Sequence, residues 1–210
     1  MIFRLDERLL FPDPELAEPD GLLAVGGDLS AERLLLAYRN GIFPWYSDDT
    51  PILWYSPHER FVLFPAELKI SKSMQRVLRS AKFTVTLNQC FEKVIAACSV
   101  IERPGQDGTW ITDEMMAAYI GLHHSGCAHS VEVWHKGDLA GGLYGVAVGA
   151  VFCGESMFSL MDNASKIALV HLCQSGYSPI DCQVYTPHLE SMGARMISRE
   201  EYMKALNGEL

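Results

Sequence analysis

Two short segments concentrate polar side chains inside otherwise apolar stretches: Gly154-Glu155-Ser156-Met157-Phe158 and Ile180-Asp181-Cys182-Gln183-Val184. On a strand, successive residues face opposite ways, so Asp181 and Gln183 share a face while Cys182 looks away. Two acceptor-bearing side chains on one face, joined by the carboxylate of Glu155, are equipped to hold an amine and take its proton. The same alternation suits an edge strand whose polar side meets water, and periodicity alone leaves both readings open.

Positioning such groups requires a sheet and the helices that cover it. The proline-rich opening, Phe11-Pro12-Asp13-Pro14 to Pro19-Asp20-Gly21, cannot be regular for long. Ser30 caps a predicted helix that runs through Leu34, Leu35 and Tyr38 and stops at Asn40-Gly41. The segments Gly41-Ile42-Phe43-Pro44-Trp45-Tyr46 and Ile52-Leu53-Trp54-Tyr55-Ser56-Pro57 set aromatics between prolines. They suit rigid loops or short strands, serving either a satellite core or a stacking platform. Between Ser71 and Ala81 the residues Ile70, Met74, Val77, Leu78 and Ala81 recur at helical spacing, with Lys69, Lys72, Arg76 and Arg79 nearly opposite. This predicts an amphipathic helix whose basic stripe is a solvated face or, in an acidic chain, a phosphate contact.

Farther along, Phe83–Leu87 alternates as a strand, Phe91–Ala97 reads as helix, and Glu102–Gly108 is a polar loop. Thr112 caps a helix with Asp113 and Glu114 in its first turn, where the helix dipole favours acids, and Gly126 closes it. His129–Trp134 and Leu139–Val148 form a hairpin about His135-Lys136-Gly137-Asp138. Ala150–Met157 extends that sheet, Asn163–Cys173 is helical, a strand follows at Ile180, and Thr186–Met192 is a short helix. Ser198-Arg199-Glu200-Glu201 has the spacing of a capping box for the last helix. From about residue 70 this order implies an α+β sheet domain. The expected division is a small N-terminal lobe, 1–62, and a larger domain, 63–210.

The chain has 210 residues and a formal charge of -9. A field of that sign repels nucleic acid and anionic membrane over long range, so any RNA contact must be local. Cys90, Cys98, Cys127, Cys153, Cys173 and Cys182 lack metal-binding or redox spacing and sit in apolar surroundings, as thiols in a reducing cytosol do. The start, Met1-Ile2-Phe3-Arg4-Leu5-Asp6-Glu7, does not read as a signal peptide, and no stretch has the roughly 18 apolar residues of a membrane span. A cytoplasmic protein is expected.

The chain resembles the leucyl/phenylalanyl-tRNA-protein transferases. The strings that carry the resemblance span nearly the whole sequence in order: Gly21-Leu22-Leu23-Ala24-Val25-Gly26-Gly27-Asp28-Leu29, Gly41-Ile42-Phe43-Pro44-Trp45, Gly108-Thr109-Trp110-Ile111-Thr112, His129-Ser130-Val131-Glu132-Val133-Trp134, Gly141-Gly142-Leu143-Tyr144-Gly145-Val146, Phe152-Cys153-Gly154-Glu155-Ser156-Met157-Phe158 and Ile180-Asp181-Cys182-Gln183. The resemblance implies a GNAT-like acyltransferase domain. It also implies a cytoplasmic, monomeric enzyme that moves Leu or Phe from Leu-tRNA or Phe-tRNA to proteins with N-terminal Arg or Lys, marking them for degradation. Neither cofactor nor metal is implied, because an aminoacyl ester is already activated and an α-amine with a pKa near 7.7 to 8 is partly neutral at pH 7. By resemblance, Gln183 steadies the amine, Asp181 is its partner in a proton or charge relay, and Glu155 positions the basic N-terminus. Trp45 and Trp110 would flank the terminal adenosine. Trp110, Leu143, Phe152, Met157 and Phe158 are candidates for the amino-acid slot, beside Ser156, with at least two of those five expected to be core. Lys69, Lys72, Arg76 and Arg79 would meet the acceptor stem.

Three competing readings have their own signatures. A CoA-dependent acyltransferase needs a Gly-rich pyrophosphate turn before a helix, whereas Ser159-Leu160-Met161-Asp162-Asn163-Ala164-Ser165 has no glycine and carries an acid. A thiol enzyme would pair Cys153 or Cys182 with one of His123, His124, His129 or His171. A non-catalytic binder would hold charged tRNA and form no bond.

Overall fold

Lys136 and Gly137 both take positive φ, 53° and 92°, the two-residue turn geometry that follows the twist of paired strands. This turn joins β7 (Ala128–His135) to β8 (Asp138–Val148), and β9 (Val151–Ser159) returns beside β8. The computed structural model describes residues 2–101 and 110–209. The loop expected at Glu102–Gly108, and Gly108-Thr109 of the motif above, lie outside the described residues.

The three long strands belong to a seven-stranded sheet of order β11-β5-β10-β9-β8-β7-β6. Its other members are β5 (Glu59–Leu63), β6 (Thr84–Leu87), β10 (Ile180–Gln183) and β11 (Arg195–Ser198). β9 and β10 run parallel, joined through α5 (Ala164–Leu172), while β10 and β5 are antiparallel. β10 is therefore an inner strand. The edge-strand reading of Asp181 and Gln183 fails for that reason.

Alternation along the strands divides the core. Leu143, Val131, Val133 and Phe152 face α5, whereas Tyr144, Val146 and Cys153 face α3 (Phe91–Val100) and α4 (Asp113–His124). Each fully buried Leu, Val or Phe in these layers contributes on the order of 1.5 to 3 kcal/mol. Gly145 stands at a β8 irregularity where a Cβ would come within 2.2 Å of the Cys153 carbonyl oxygen and 2.5 Å of the Phe152 ring. Only glycine lets β8 and β9 approach there.

A second sheet of order β1-β2-β4-β3 comprises β1 (Phe3–Leu5), β2 (Leu22–Gly26), β4 (Leu53–Tyr55) and β3 (Phe43–Pro44). The Trp54 indole, fully buried, donates to the Gly26 carbonyl at 2.8 Å, which fixes the short aromatic strands as a rigid unit. α1 (Ala31–Arg39) starts at the Ser30 cap and ends at Asn40, as its sequence signals require. β5 spans the position of the expected division at 62/63.

α2 (Lys72–Arg79) has the predicted amphipathic pattern, with Met74 buried and Lys72, Arg76 and Arg79 exposed. Lys69 precedes the helix, so the four cations do not form one helical row. α6 (Pro187–Ser191) and α7 (Arg199–Leu206) complete the chain, and the Ser198 hydroxyl accepts from the Glu201 N–H at 3.1 Å to start the latter. Neither β5 nor β11 was anticipated. Four of the five β5 residues are buried, so that strand has no polar alternation to reveal it.

Candidate active site

β9 and β10 pair only at Phe152–Ile180 and Cys153–Asp181. Beyond those pairs a cleft of about 390 Å³ opens, with Gly154–Met157 on one wall and Cys182–Val184 on the other. The cause lies in β10. Its register with β5 slips between Asp181 and Gln183, and Gln183 takes φ 58°, a left-handed conformation rare for a side-chain-bearing residue. The bulge ends the ladder and aims the Gln183 carboxamide across the gap.

That carboxamide donates from Nε2 to Glu155 Oε1 at 2.9 Å. The other Glu155 oxygen accepts from the Tyr119 hydroxyl at 3.2 Å, and Tyr119 shares a short hydrogen bond with Tyr38. Glu155 is 7% exposed. Burial pushes its pKa up to about 7, hydrogen bonds from Tyr38, Tyr119 and Gln183 pull it down, and the charge of Asp181 pushes it up. A carboxyl poised there exchanges protons readily near neutrality.

Asp181 is wholly enclosed. Its Oδ1 accepts the Gln183 backbone N–H at 2.8 Å, and its Oδ2 accepts the Tyr202 hydroxyl at 2.8 Å and pairs with the Arg60 guanidinium. Burial is the largest influence on the Arg60 pKa and lowers it, but the charge and hydrogen bond of Asp181, with Tyr202 and Cys153 nearby, together outweigh burial and the net shift is upward. Asp181 lies toward Tyr202 and Gln183 toward Glu155, while Cys182 packs with the α5-side core; the bulge, not regular alternation, places the Gln183 side chain.

Trp45, 44% exposed, and Trp110 both line the cleft. Trp110 is placed by the Thr112 cap two residues on, whose hydroxyl accepts from the Met115 N–H at 3.2 Å and meets the Tyr46 hydroxyl at 3.3 Å. Leu143, Ser156 and Met157 line the cleft as well, with Leu169, Leu172, Ile180 and Leu189 supplying further apolar surface. Phe152 and Phe158 do not belong to the wall. Each is 1% exposed, Phe152 packing on Tyr177 and Gly145, and Phe158 against Gly142. Phe158 belongs to the core layer under α3 and α4, and Phe152 to the layer under α5.

Sequence reasoning missed Arg60, Tyr202, Tyr38 and Tyr119. The available signal was weak: a single cation inside the apolar run Arg60-Phe61-Val62-Leu63-Phe64, and tyrosines at core positions of helices. Among the described residues, no group of three or more His, Cys, Asp or Glu has the arrangement to hold a metal ion, and no helix is long and apolar enough to cross a membrane.

The family profile described as leucyl/phenylalanyl-tRNA protein transferase matches residues 62–207, and the profile of that family's N-terminal domain matches residues 27–58. The chain is 61% identical over 209 residues to the leucyl/phenylalanyl-tRNA–protein transferase of Syntrophobacter fumaroxidans, covering 98% of this chain and 89% of that protein. The chain belongs to the leucyl/phenylalanyl-tRNA–protein transferase family. It is an aminoacyltransferase.

Further transferases of the same name are similar to it. That of Desulforapulum autotrophicum is 50% identical over 100% of this chain and 93% of its own, and that of Oleidesulfovibrio alaskensis is 53% identical over 100% and 88%. Among solved structures, FemX matches with a TM-score of 0.52 at 10% identity, covering 80% of this chain and 66% of that one. This likeness concerns the fold alone, and the transferase has the expected α+β architecture. The Cys153 and Cys182 thiols are poor nucleophiles, since burial pushes both far above the ordinary thiol value.

Proposed function

We propose that the transferase moves Leu or Phe from its tRNA ester to the N-terminal Arg or Lys of a protein, marking that protein for degradation, with Glu155 and Gln183 at the reacting nitrogen. The observation that carries this reading is the Gln183–Glu155 bridge across the open end of β9 and β10, facing a cleft lined by Trp45 and Trp110. The amine nitrogen attacks the ester carbonyl, so the C–N bond forms and the C–O bond to the ribose breaks. The proton leaving nitrogen passes to the Glu155 carboxylate and then to the departing ribose oxygen. Gln183 holds the amine through its carboxamide oxygen.

Asp181, with no exposure, is closed to direct exchange with a substrate amine, so proton acceptance goes to Glu155 and Asp181 acts as the fixed charge behind Gln183. The Glu155 carboxylate, which among the described residues has no cationic partner such as Arg60 gives Asp181, favours a cationic acceptor end. Stacking of an unpaired adenine on Trp45 and Trp110 suits an adenosine terminus, and the apolar wall suits Leu or Phe side chains with graded selectivity. Lys72, Arg76 and Arg79 on α2, with Lys69 beside them, serve the tRNA phosphates. The lobes 1–62 and 63–210 act as one monomer, and six free cysteines favour a cytoplasmic setting.

Labelled Phe-tRNA incubated with the protein and a peptide beginning with Arg, beside one beginning with Gly, tests the reading. Label should enter the first peptide only. No transfer to either, or equal transfer to both, refutes it.

A further inference from the structure

We infer that Arg60 is a positioning residue for the transfer step, joining the aromatic wall of the cleft to the reacting carboxamide through one buried cation. The inference rests on the roles proposed above for Glu155 and Gln183.

Arg60 is 1% exposed on β5, the strand beside β10. Its Nη2 pairs with Asp181 Oδ2, the oxygen that also receives the Tyr202 hydroxyl at 2.8 Å. Its Nη1 donates to the Gly41 carbonyl at 3.3 Å, and the guanidinium carbon stands 4.8 Å from the centre of the Phe43 ring and 4.5 Å from that of Tyr202. Gly41 and Phe43 begin the segment that delivers Trp45 to the cleft. Asp181 holds the Gln183 N–H. Tyr202 comes from α7. Three separate parts of the chain thus meet on one side chain.

The energetic need for this grip is at Gln183. A residue with a side chain held at φ 58° is strained, and it persists only where its surroundings over-determine it. The bond from its N–H to Asp181 Oδ1 supplies that constraint, provided that Asp181 itself cannot turn. A buried carboxylate without a partner is strongly disfavoured, so removal of Arg60 would drive Asp181 to protonate, rotate or admit water. Each response frees the bulge and lets the carboxamide leave Glu155. A planar guanidinium can serve Asp181 and Gly41 at once, whereas an ammonium on a flexible stem can keep the charge but not the fork.

The test compares Arg60→Lys, Arg60→Met and Tyr202→Phe in the full chain, each checked for folding by circular dichroism and thermal melting. Transfer of labelled Phe from Phe-tRNA to an Arg-initiated peptide gives kcat and KM for both substrates. Misplacement by about 1 Å costs on the order of 100-fold, so Arg60→Met should lose about that much in kcat. Arg60→Lys should recover part of it, and Tyr202→Phe, which keeps the ring beneath the guanidinium, should lose about tenfold, as expected for one hydrogen bond to a charged group. KM for Phe-tRNA should stay within about threefold, less than the loss of one stacking contact would cause. Should Arg60→Met not fold, the other two variants decide. Parental kcat in folded Arg60→Lys and Tyr202→Phe, or losses that track only the folded fraction, overturn the inference. Gln183→Ala separates the two levels: parental kcat there removes the reading of the site itself, whereas a fall there with parental Arg60→Lys and Tyr202→Phe removes only the role of Arg60.

Discussion

Replacing Glu155 with Gln keeps the shape of the side chain and removes its proton chemistry, which makes the pH dependence of stability a direct probe of the site. The carboxyl is 7% exposed, and burial pushes it from 4.5 to about 7. That rise corresponds to about 3 kcal/mol between its two protonation states. A carboxyl with a higher pKa folded than unfolded favours the folded protein while it is protonated. The stabilisation is complete below about pH 4.5 and disappears as pH rises to about 7. The parent should therefore lose about 3 kcal/mol relative to Glu155→Gln across that window and nothing further above it. Urea unfolding of both proteins at steps from pH 5 to 8 reads this as a midpoint difference that grows by about 1 M or more. Taking the difference between the two proteins cancels the contributions of the other titratable groups. In single-turnover transfer the parent should gain rate as pH rises through about 7, where Glu155 ionises, and again as the acceptor amine loses its proton near 7.7 to 8, whereas Glu155→Gln should keep only the second limb and run far slower. A stability difference that stays flat from pH 5 to 8 would refute the burial argument, and the proton-acceptor role with it.

Other perturbations separate binding from chemistry. Lys72→Ala combined with Arg76→Ala should raise KM for aminoacyl-tRNA and leave kcat unchanged, and the salt slope of binding should shrink by about 1.4 to 1.8 if each cation meets one phosphate. An unchanged slope would separate α2 from the tRNA. Trp110→Ala should weaken aminoacyl-tRNA binding by about 1 to 3 kcal/mol, measured by equilibrium filter binding, and equal affinity would show that no base stacks there. Brief iodoacetamide treatment followed by mass spectrometry should find Cys153, which is wholly buried, unmodified while transfer persists. Alkylation of Cys153 in step with lost activity would restore a thiol mechanism.

Much of the frame was legible because local chemistry dictates it. Ser30, Thr112 and Ser198 each start the helix their spacing promised, since a side-chain oxygen beside exposed N–H groups acts within one turn, and Ser71 does the same for α2. Lys136-Gly137 specifies its hairpin through backbone sterics alone. Alternation likewise marked the polar side of β10 at Asp181, while the bulge rather than the alternation places the Gln183 side chain. The basic stripe was read one residue too far, because Lys69 has the right spacing but lies before the Ser71 cap.

Other features depend on what the chain brings together. Alternation states that two residues share a face, but not whether that face meets water or a buried arginine 121 positions away. Phe152 and Phe158 have the composition of a substrate slot, yet only packing against Gly145 and Gly142 shows that they belong to the core. The proton affinity of Glu155 comes from burial set against hydrogen bonds from Tyr38, Tyr119 and Gln183 on three separate elements, a sum over distant neighbours that no local window contains. By itself, then, the sequence determined the helices, the β7–β8 hairpin of the large sheet and the family. Tertiary structure alone decided which carboxylate bridges to Gln183 and which is enclosed with Arg60, because burial and ion pairing are properties of the assembled neighbourhood.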